Sequence, residues 1–522
     1  MSSSERTDSV VNAAQDLWRG AETFPDSTAL TDLDSAGGRS LTYRELRDET
    51  AATAGALQGL GLGHGDRVAL LLHNSIAYVK SYLGAVAAGL VVVPLNVRLL
   101  AVDYRHMIED SGATVLITTG EFLERAPELT VLPGVVVVRA DGADATEPEL
   151  DRLSREAEPL PAPVSREAEA PASLMYTSGT TGLPKAVVLS DRAWDVIAER
   201  AIEVLRMGDG EVILHAAPLT HGAGFLLLPT IRLGGHNLVC ASFTGSRTVE
   251  VFDEFGVTGT FLVPSMIRML LDAWPEDKPV PERLRRIYYA GSPIDRGTFH
   301  EVTEVFAGRL VQSFAQMESP MFFTVLTEDD HREAIRTPDS PLIKSAGRVL
   351  PGVELRIVDE EGRAVDGDAG EILARAPQTM NGYWNRPEAT EKALGEGWLH
   401  TGDVGYFDRD GYLFVVDRTK DMIVTGGSNV YAREVEEVLL GVPAVKEAAV
   451  IGTPHRVWGE AVTAVLVPAG DDRDNEAVVA ACRERLAGYR VPKRIEWVDE
   501  LPRNAYGKVL KRRLRDELAL AE

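Results

Sequence analysis

Through the first 400 residues, short runs of apolar residues alternate with segments whose apolar positions recur at helical spacing. Residues 67–74 (RVALLLHN) read as a buried strand, 81–90 (SYLGAVAAGL) as a helix, 91–97 (VVVPLNV) as a strand, 102–113 (VDYRHMIEDSGA) as an amphipathic helix and 114–119 (TVLITT) as a strand. Strands that are apolar on both faces and separated by helices predict parallel sheets covered on both sides. Residues 141–171 are rich in Ala, Glu, Pro and Asp with little periodicity, and read as a surface connection within the same domain. After Asp417 the pattern shortens. A glycine turn at Gly426 and Gly427 precedes a helix over 431–441, strands over 444–452 and 461–467, a helix over 475–488 and a basic tail. That stretch of about 100 residues is long enough for a separate α+β domain.

Composition narrows the class. At 522 residues the chain exceeds what one core serves, and 45% hydrophobic content excludes wholesale disorder. Two cysteines, Cys240 and Cys482, cannot build a disulfide framework, which points to a reducing, cytoplasmic setting. The first residues show no basic stretch followed by an apolar core, and no run approaches the roughly 18 apolar residues of a membrane span. The net charge is −25, and residues 421–522 hold 15 Lys/Arg against 17 Asp/Glu, so the first 420 residues carry nearly all of it. An acidic body without a basic stripe argues against nucleic acid as a partner. The basic cluster 511–515 (KRRLR) reads as the charged face of a last helix.

The most specific chemistry lies at 176–185, YTSGTTGLPK, after an apolar strand. Hydroxyls at Thr177, Ser178, Thr180 and Thr181, close backbone approach at Gly179 and Gly182, and the ammonium of Lys185 suit the phosphates of a nucleotide. It is not a Walker loop, because Leu183 and Pro184 separate Gly182 from the lysine. The string resembles the phosphate loop of the adenylate-forming superfamily of acyl-CoA ligases, adenylation domains and luciferases. Five further segments follow in that family's order. Residues 215–224 (HAAPLTHGAG) resemble the run that lines the acid pocket, with His221 at the histidine and Thr220 where an aromatic is usual. Residues 288–294 (YYAGSPI) resemble its small-residue wall, with Ala290, Gly291 and Ser292. Residues 314–318 (FAQME) resemble the aromatic-Gly-x-Thr-Glu motif, departing from it at Ala315 and Met317. Residues 401–403 match its Thr-Gly-Asp, and 502–508 (PRNAYGK) resemble its C-terminal lysine motif.

The resemblance, which runs from Leu41 onward, implies a large α/β domain over 1–417, a hinge at 418–420 with Lys420 as pivot, and a small mobile α+β domain over 421–522. It implies that Glu318 holds the magnesium of ATP, a hard oxygen for a hard cation, that Phe314 lies near adenine, and that Asp403 and Arg418 reach the ribose. Lys508 would stabilise the charge of the first half-reaction beside Lys185, and Gly426 and Gly427 would flank a coenzyme A tunnel. The acid pocket would draw on His221, Phe225, Ala290, Gly291, Ala315, Met317 and Met321, with aromatic and apolar surface suited to an aryl or medium-chain acid. The activity implied is ATP-dependent formation of an acyl-adenylate, followed by transfer to the thiol of coenzyme A. The alternatives are transfer to a carrier protein, activation of nitrite to diazotise an arylamine, and a nucleotide- or adenylate-binding sensor without catalysis. The sequence leaves the oligomeric state open, a homodimer included.

Overall fold

The computed structural model describes residues 12–35, 38–142, 148–177, 184–292, 294–337, 340–418, 421–425, 428–455, 457–470, 473–503 and 509–519. The chain forms two compact units, 1–354 with 374–399, and 355–373 with 400–522.

In the first unit one sheet runs in the order Gly382–Tyr383, Lys185–Ser190, Pro171–Thr177, Val91–Pro94, Arg67–Leu71, Val115–Thr118, Val136–Arg139. The last five strands are mutually parallel, while Lys185–Ser190 and Gly382–Tyr383 add antiparallel at one edge. The second sheet orders Gly347–Val349, Ser319–Leu326, Leu310–Gln316, Arg286–Tyr289, Gly259–Leu262, Val212–His215, His236–Val239, Thr28–Asp32 and Arg39–Thr42. Its middle is parallel and its ends are antiparallel. Parallel strands require crossovers, so both faces are covered and the strands are apolar throughout; Val91–Pro94 is buried at every position. The following helices start on side-chain caps. Ser75 accepts from the Tyr78 amide at the head of Ile76–Ala87, and Ser190 from Ala193 at the head of Asp191–Val204.

Residues 148–171 are less of a surface connection than their composition implies. They include a helix, Leu150–Glu156, whose Asp151 accepts from the buried Lys80 ammonium at 2.5 Å. Arg166 is buried, 2.9 Å from the buried Asp191 carboxylate, and donates to the Leu90 carbonyl at 3.0 Å. A buried pair of this kind fixes position more than it adds stability, because desolvation consumes most of the attraction.

In the second unit the strands Leu399–Phe407 and Tyr412–Arg418 form a hairpin. A further sheet orders Ser428–Val430, Ile423–Thr425, Gly459–Pro468 and Val445–His455, with Arg494–Trp497 parallel to Gly459–Pro468. Ala432–Leu440 and Asn475–Arg485 pack on it through Val435, Leu439, Val478 and Cys482. The last helix, Lys511–Ala519, buries Leu514, pairs Lys511 with Glu436 at 2.7 Å, and exposes Arg512 and Arg513. By packing, residues 355–373 and 400–418 group with this unit; Lys420, the expected pivot, lies outside the described residues. No helix among the described residues is long and apolar enough to cross a membrane.

His215, His236 and His331 of the first unit are held neutral, as is His221 described below. His331 donates from Nδ1 to the Thr327 carbonyl at 2.7 Å and shares a 2.8 Å hydrogen bond with the Tyr289 hydroxyl, a pairing that suits the neutral ring. Burial pushes His215, His236 and His331 each down to about 4. The unfolded chain takes up these protons near pH 6.5 and the folded chain only near 4. Their contribution to stability is therefore complete above about pH 6.5 and is lost as pH falls towards 4. The thermal midpoint is expected to drop steadily across that window, and a flat midpoint between pH 6.5 and 4.5 would contradict the assignment.

Candidate active site

Pro171–Thr177 and Lys185–Ser190 pair so that Thr177 lies opposite Lys185. This fixes both ends of the Ser/Thr/Gly loop; its members Ser178, Gly179, Thr180, Thr181 and Gly182 lie outside the described residues. The first strand is anchored by the Tyr176 hydroxyl, which donates to Asp110 at 2.9 Å, while Arg386 binds the same carboxylate at 2.6 Å. The Lys185 ammonium sits 5.4 Å from the centre of the Tyr383 ring. The Tyr383 hydroxyl donates to Glu318 Oε1 at 2.7 Å. Burial and the adjacent carboxylate push this phenol far above its ordinary range, so it is a neutral donor. Lys185 and Glu318, 133 positions apart in the sequence, thus meet on one aromatic ring.

Glu318 occupies the second position of a two-residue turn, because Gln316 pairs directly with Ser319. The next register pair is Phe314 with Thr324, so residues 320–323 bulge opposite Ala315. Within the bulge Met321 is buried with φ of 76°, a left-handed conformation that costs roughly 1–2 kcal/mol for a residue with a Cβ. Its surroundings enforce it. The Ser313 hydroxyl donates to the Met321 carbonyl at 2.7 Å, and the Tyr288 hydroxyl reaches Ser313 Oγ at 2.7 Å and Met321 Sδ at 3.8 Å. Ala315 and Met317 are half-buried, as is Phe314, whose ring lies 5.8 Å from that of Phe323.

Magnesium needs oxygen donors and commonly takes one or two carboxylates together with phosphate oxygens and water. No cluster of three or more His, Cys, Asp or Glu able to hold a metal occurs among the described residues. Glu318, with one oxygen held by Tyr383, fits a cation that arrives on nucleotide phosphates and not one held in a protein cage.

At the end of Arg286–Tyr289, Ala290 is half-buried while Gly291 and Ser292 are exposed. Gly291 has φ of 93°, and a Cβ there would meet only Val263 Cγ1 at 3.8 Å, which leaves backbone open to a flat ligand. His221 follows a loop shaped by buried Asn74. That amide donates to the carbonyls of His215 (3.0 Å) and Ala217 (2.8 Å) and accepts from the Leu219 amide (2.8 Å). Thr220 Oγ1 lies 3.1 Å from His221 Nδ1, and burial together with the nearby Arg98 charge pushes this imidazole down to about 4. It is a neutral hydrogen-bonding group at physiological pH. Phe225 is buried with its ring 5.1 Å from Trp194, which with Leu219 and Gly224 lines a small apolar cavity.

In the second unit Asp403 and Arg418 are register partners, 2.9 Å apart across the hairpin. The Thr401 hydroxyl donates to the Ile372 carbonyl at 2.6 Å and accepts from the Asp403 amide at 3.1 Å, and Gly402 takes φ of 64°. Burial pushes the neighbouring Asp417 carboxyl up. Lys508, Gly426 and Gly427 lie outside the described residues. Sequence reasoning missed Tyr383 and Asn74. The available signals were the Gly-Tyr-Trp at 382–384 and the Asn74 that ends the strand-like run 67–74.

The AMP-binding enzyme family matches residues 17–384, and the AMP-binding enzyme C-terminal domain matches 434–508. A fatty acid–[acyl-carrier-protein] ligase, ScoC, of Streptomyces coeruleorubidus is 35% identical over 92% of each chain. A feruloyl-CoA synthase of an Amycolatopsis species is 36% identical over 95% of this chain and 97% of its own. The o-succinylbenzoate CoA synthetase of Bacillus subtilis, solved with its acyl-adenylate intermediate, shares 31% identity and a TM-score of 0.85, covering 96% of this chain and 98% of that one. The same synthetase has been solved with ATP and a magnesium ion. With its Ser/Thr/Gly loop, its glutamate turn at 318 and its Thr-Gly-Asp turn in the family's order, the chain belongs to the AMP-binding enzymes, the adenylate-forming ligases of acyl-CoA synthetase type.

Proposed function

We propose that this enzyme activates an aryl or medium-chain carboxylic acid with ATP and passes the acyl group to the thiol of coenzyme A in the cytoplasm. The observation that carries the reading is the meeting of Lys185 and Glu318 on Tyr383, at the mouth of a hydroxyl- and glycine-rich loop. In the first half-reaction a carboxylate oxygen attacks the α-phosphorus and pyrophosphate leaves. In the second the thiol sulfur attacks the acyl carbon, AMP leaves and the thiol proton is released. Lys185 and the loop from Ser178 to Gly182 bind phosphates, Glu318 takes the magnesium that screens them, and Asp403 and Arg418 take the ribose. Gly291 and Ser292 leave backbone open for the adenylate, and neutral His221 places no charge in the acid pocket. Movement about Lys420, with Gly426 and Gly427 flanking the path of coenzyme A, separates the two steps. A carrier-protein thiol is the second reading, favoured by the carrier-protein ligase among the relatives.

Lys508→Ala is expected to cut adenylate formation by about 10²- to 10³-fold while sparing acyl transfer from supplied acyl-adenylate. Pyrophosphate exchange and thioester formation, measured separately, check this; equal losses in both would contradict the assignment. Met317→Thr restores the hydroxyl that the family motif carries, and is expected to hold or raise adenylation by roughly 1.5–3 kcal/mol at most. A drop in turnover with unchanged ATP affinity would instead mean that the thioether shapes the acid pocket.

A further inference from the structure

The chain segment at 380–384 is hydrogen-bonded to the main chain at Glu318 and along the strand that begins with Lys185, and its Tyr383 side chain touches both charged groups. Met380 donates its amide to the Glu318 carbonyl at 2.8 Å. Asn381 donates to the Val188 carbonyl at 3.0 Å and Trp384 to the Ala186 carbonyl at 2.9 Å, so the segment is laced to the strand that begins with Lys185. Between them Gly382 pairs with Val188 and Tyr383 with Val187. Gly382 adopts φ of 142°, and a Cβ there would lie 2.6 Å from Thr390 Cγ2, so the close approach requires glycine. The Tyr383 amide is tied to Thr390 Oγ1 at 2.9 Å. The ring therefore has little freedom to leave its place.

An ammonium and a carboxylate brought this near in a partly buried setting attract each other strongly, and a direct pair would neutralise both. No ion pair joins Lys185 to Glu318. The ammonium lies against the ring of Tyr383, while the carboxylate is bound at the hydroxyl end. We propose that Tyr383 is a positioning residue that holds Lys185 and Glu318 apart, so that one stays free for nucleotide phosphate and the other presents a single oxygen, Oε2, to the magnesium ion. This rests on the proposed ATP-dependent reaction. It gives the Gly-Tyr-Trp segment a task in nucleotide binding in addition to its place in the sheet.

The two functions of the side chain separate by substitution. Tyr383→Phe keeps the ring under Lys185 and removes the hydrogen bond to Glu318. Tyr383→Leu removes both. ATP binding is measured by isothermal titration calorimetry over a series of magnesium concentrations, with thermal unfolding as the check on folding. For Tyr383→Phe the magnesium concentration giving half-maximal ATP affinity is expected to rise about 10-fold, as befits loss of a charge-assisted hydrogen bond. Its affinity for ATP without magnesium should stay within about twofold of wild type, and saturating magnesium should restore binding. Tyr383→Leu should also lose about 10-fold in magnesium-free affinity, because Lys185 is then drawn to Glu318. A role confined to packing would lower the thermal midpoint and leave the magnesium series parallel to wild type. That result, or an equal magnesium-free loss in both variants, overturns the proposal. Should Tyr383→Leu fail to fold, Tyr383→Phe decides alone. A wild-type protein whose ATP binding ignores magnesium would overturn the proposed reaction and this inference together.

Discussion

The site depends on keeping opposite charges close without letting them cancel. In the proposed function a triphosphate takes positive charge from Lys185 along its oxygens and seats its cation on Glu318, so the two must sit near each other. At contact distance such a pair gains about 4 kcal/mol at an effective dielectric of 20, enough to hold it closed against an incoming ligand. Tyr383 contacts both, its ring lying against the Lys185 ammonium and its hydroxyl donating to the Glu318 carboxylate. The neutral state of that phenol follows from burial, which keeps it a donor at any physiological pH.

Both sheets of the first unit serve this arrangement by their edges. Parallel strands bury completely and leave little room for a site along their faces, so the functional groups collect where antiparallel strands are added and where strands end. Lys185 and Tyr383 come from the antiparallel edge of one sheet. Glu318 comes from the turn of an antiparallel hairpin in the other, and Gly291 and Ser292 follow the end of one of its parallel strands. The same hairpin stores the strain of Met321, enforced by Ser313 and Tyr288. Strain of this kind persists only where surrounding contacts over-determine it.

Much of this was legible in the sequence, and the exceptions have a common cause. The strands at Arg67–Leu71, Val91–Pro94 and Val115–Thr118 lie within segments that the apolar periodicity marked, and the helix at Ala101–Ser111 overlaps the marked segment 102–113. The Ser/Thr/Gly loop, Glu318 and the Thr-Gly-Asp turn stand out as local strings, and the roles proposed for them come from the family resemblance. The short helix Leu150–Glu156 was missed because only Leu150 among its seven residues is buried, which leaves no periodic stripe. The stretch 141–171 read as a surface connection partly because Asp191, the partner of buried Arg166, lies 25 residues on, across a strand pair. Tyr383 was overlooked for the same reason: its meaning comes from Glu318, 65 positions earlier, and from Lys185. Likewise the grouping of 355–373 with the C-terminal residues follows from long-range packing, to which composition and period are blind. Local chemistry was readable, whereas pairings of distant charged groups required the fold.

The central claim is that the acid is activated on the α-phosphorus of ATP, and isotope transfer tests it most directly. With a substrate acid whose carboxylate oxygens are 18O, a complete turnover in the presence of coenzyme A should deposit one labelled oxygen in the AMP released and none in pyrophosphate. AMP free of label, or label recovered in pyrophosphate or orthophosphate, would contradict the account.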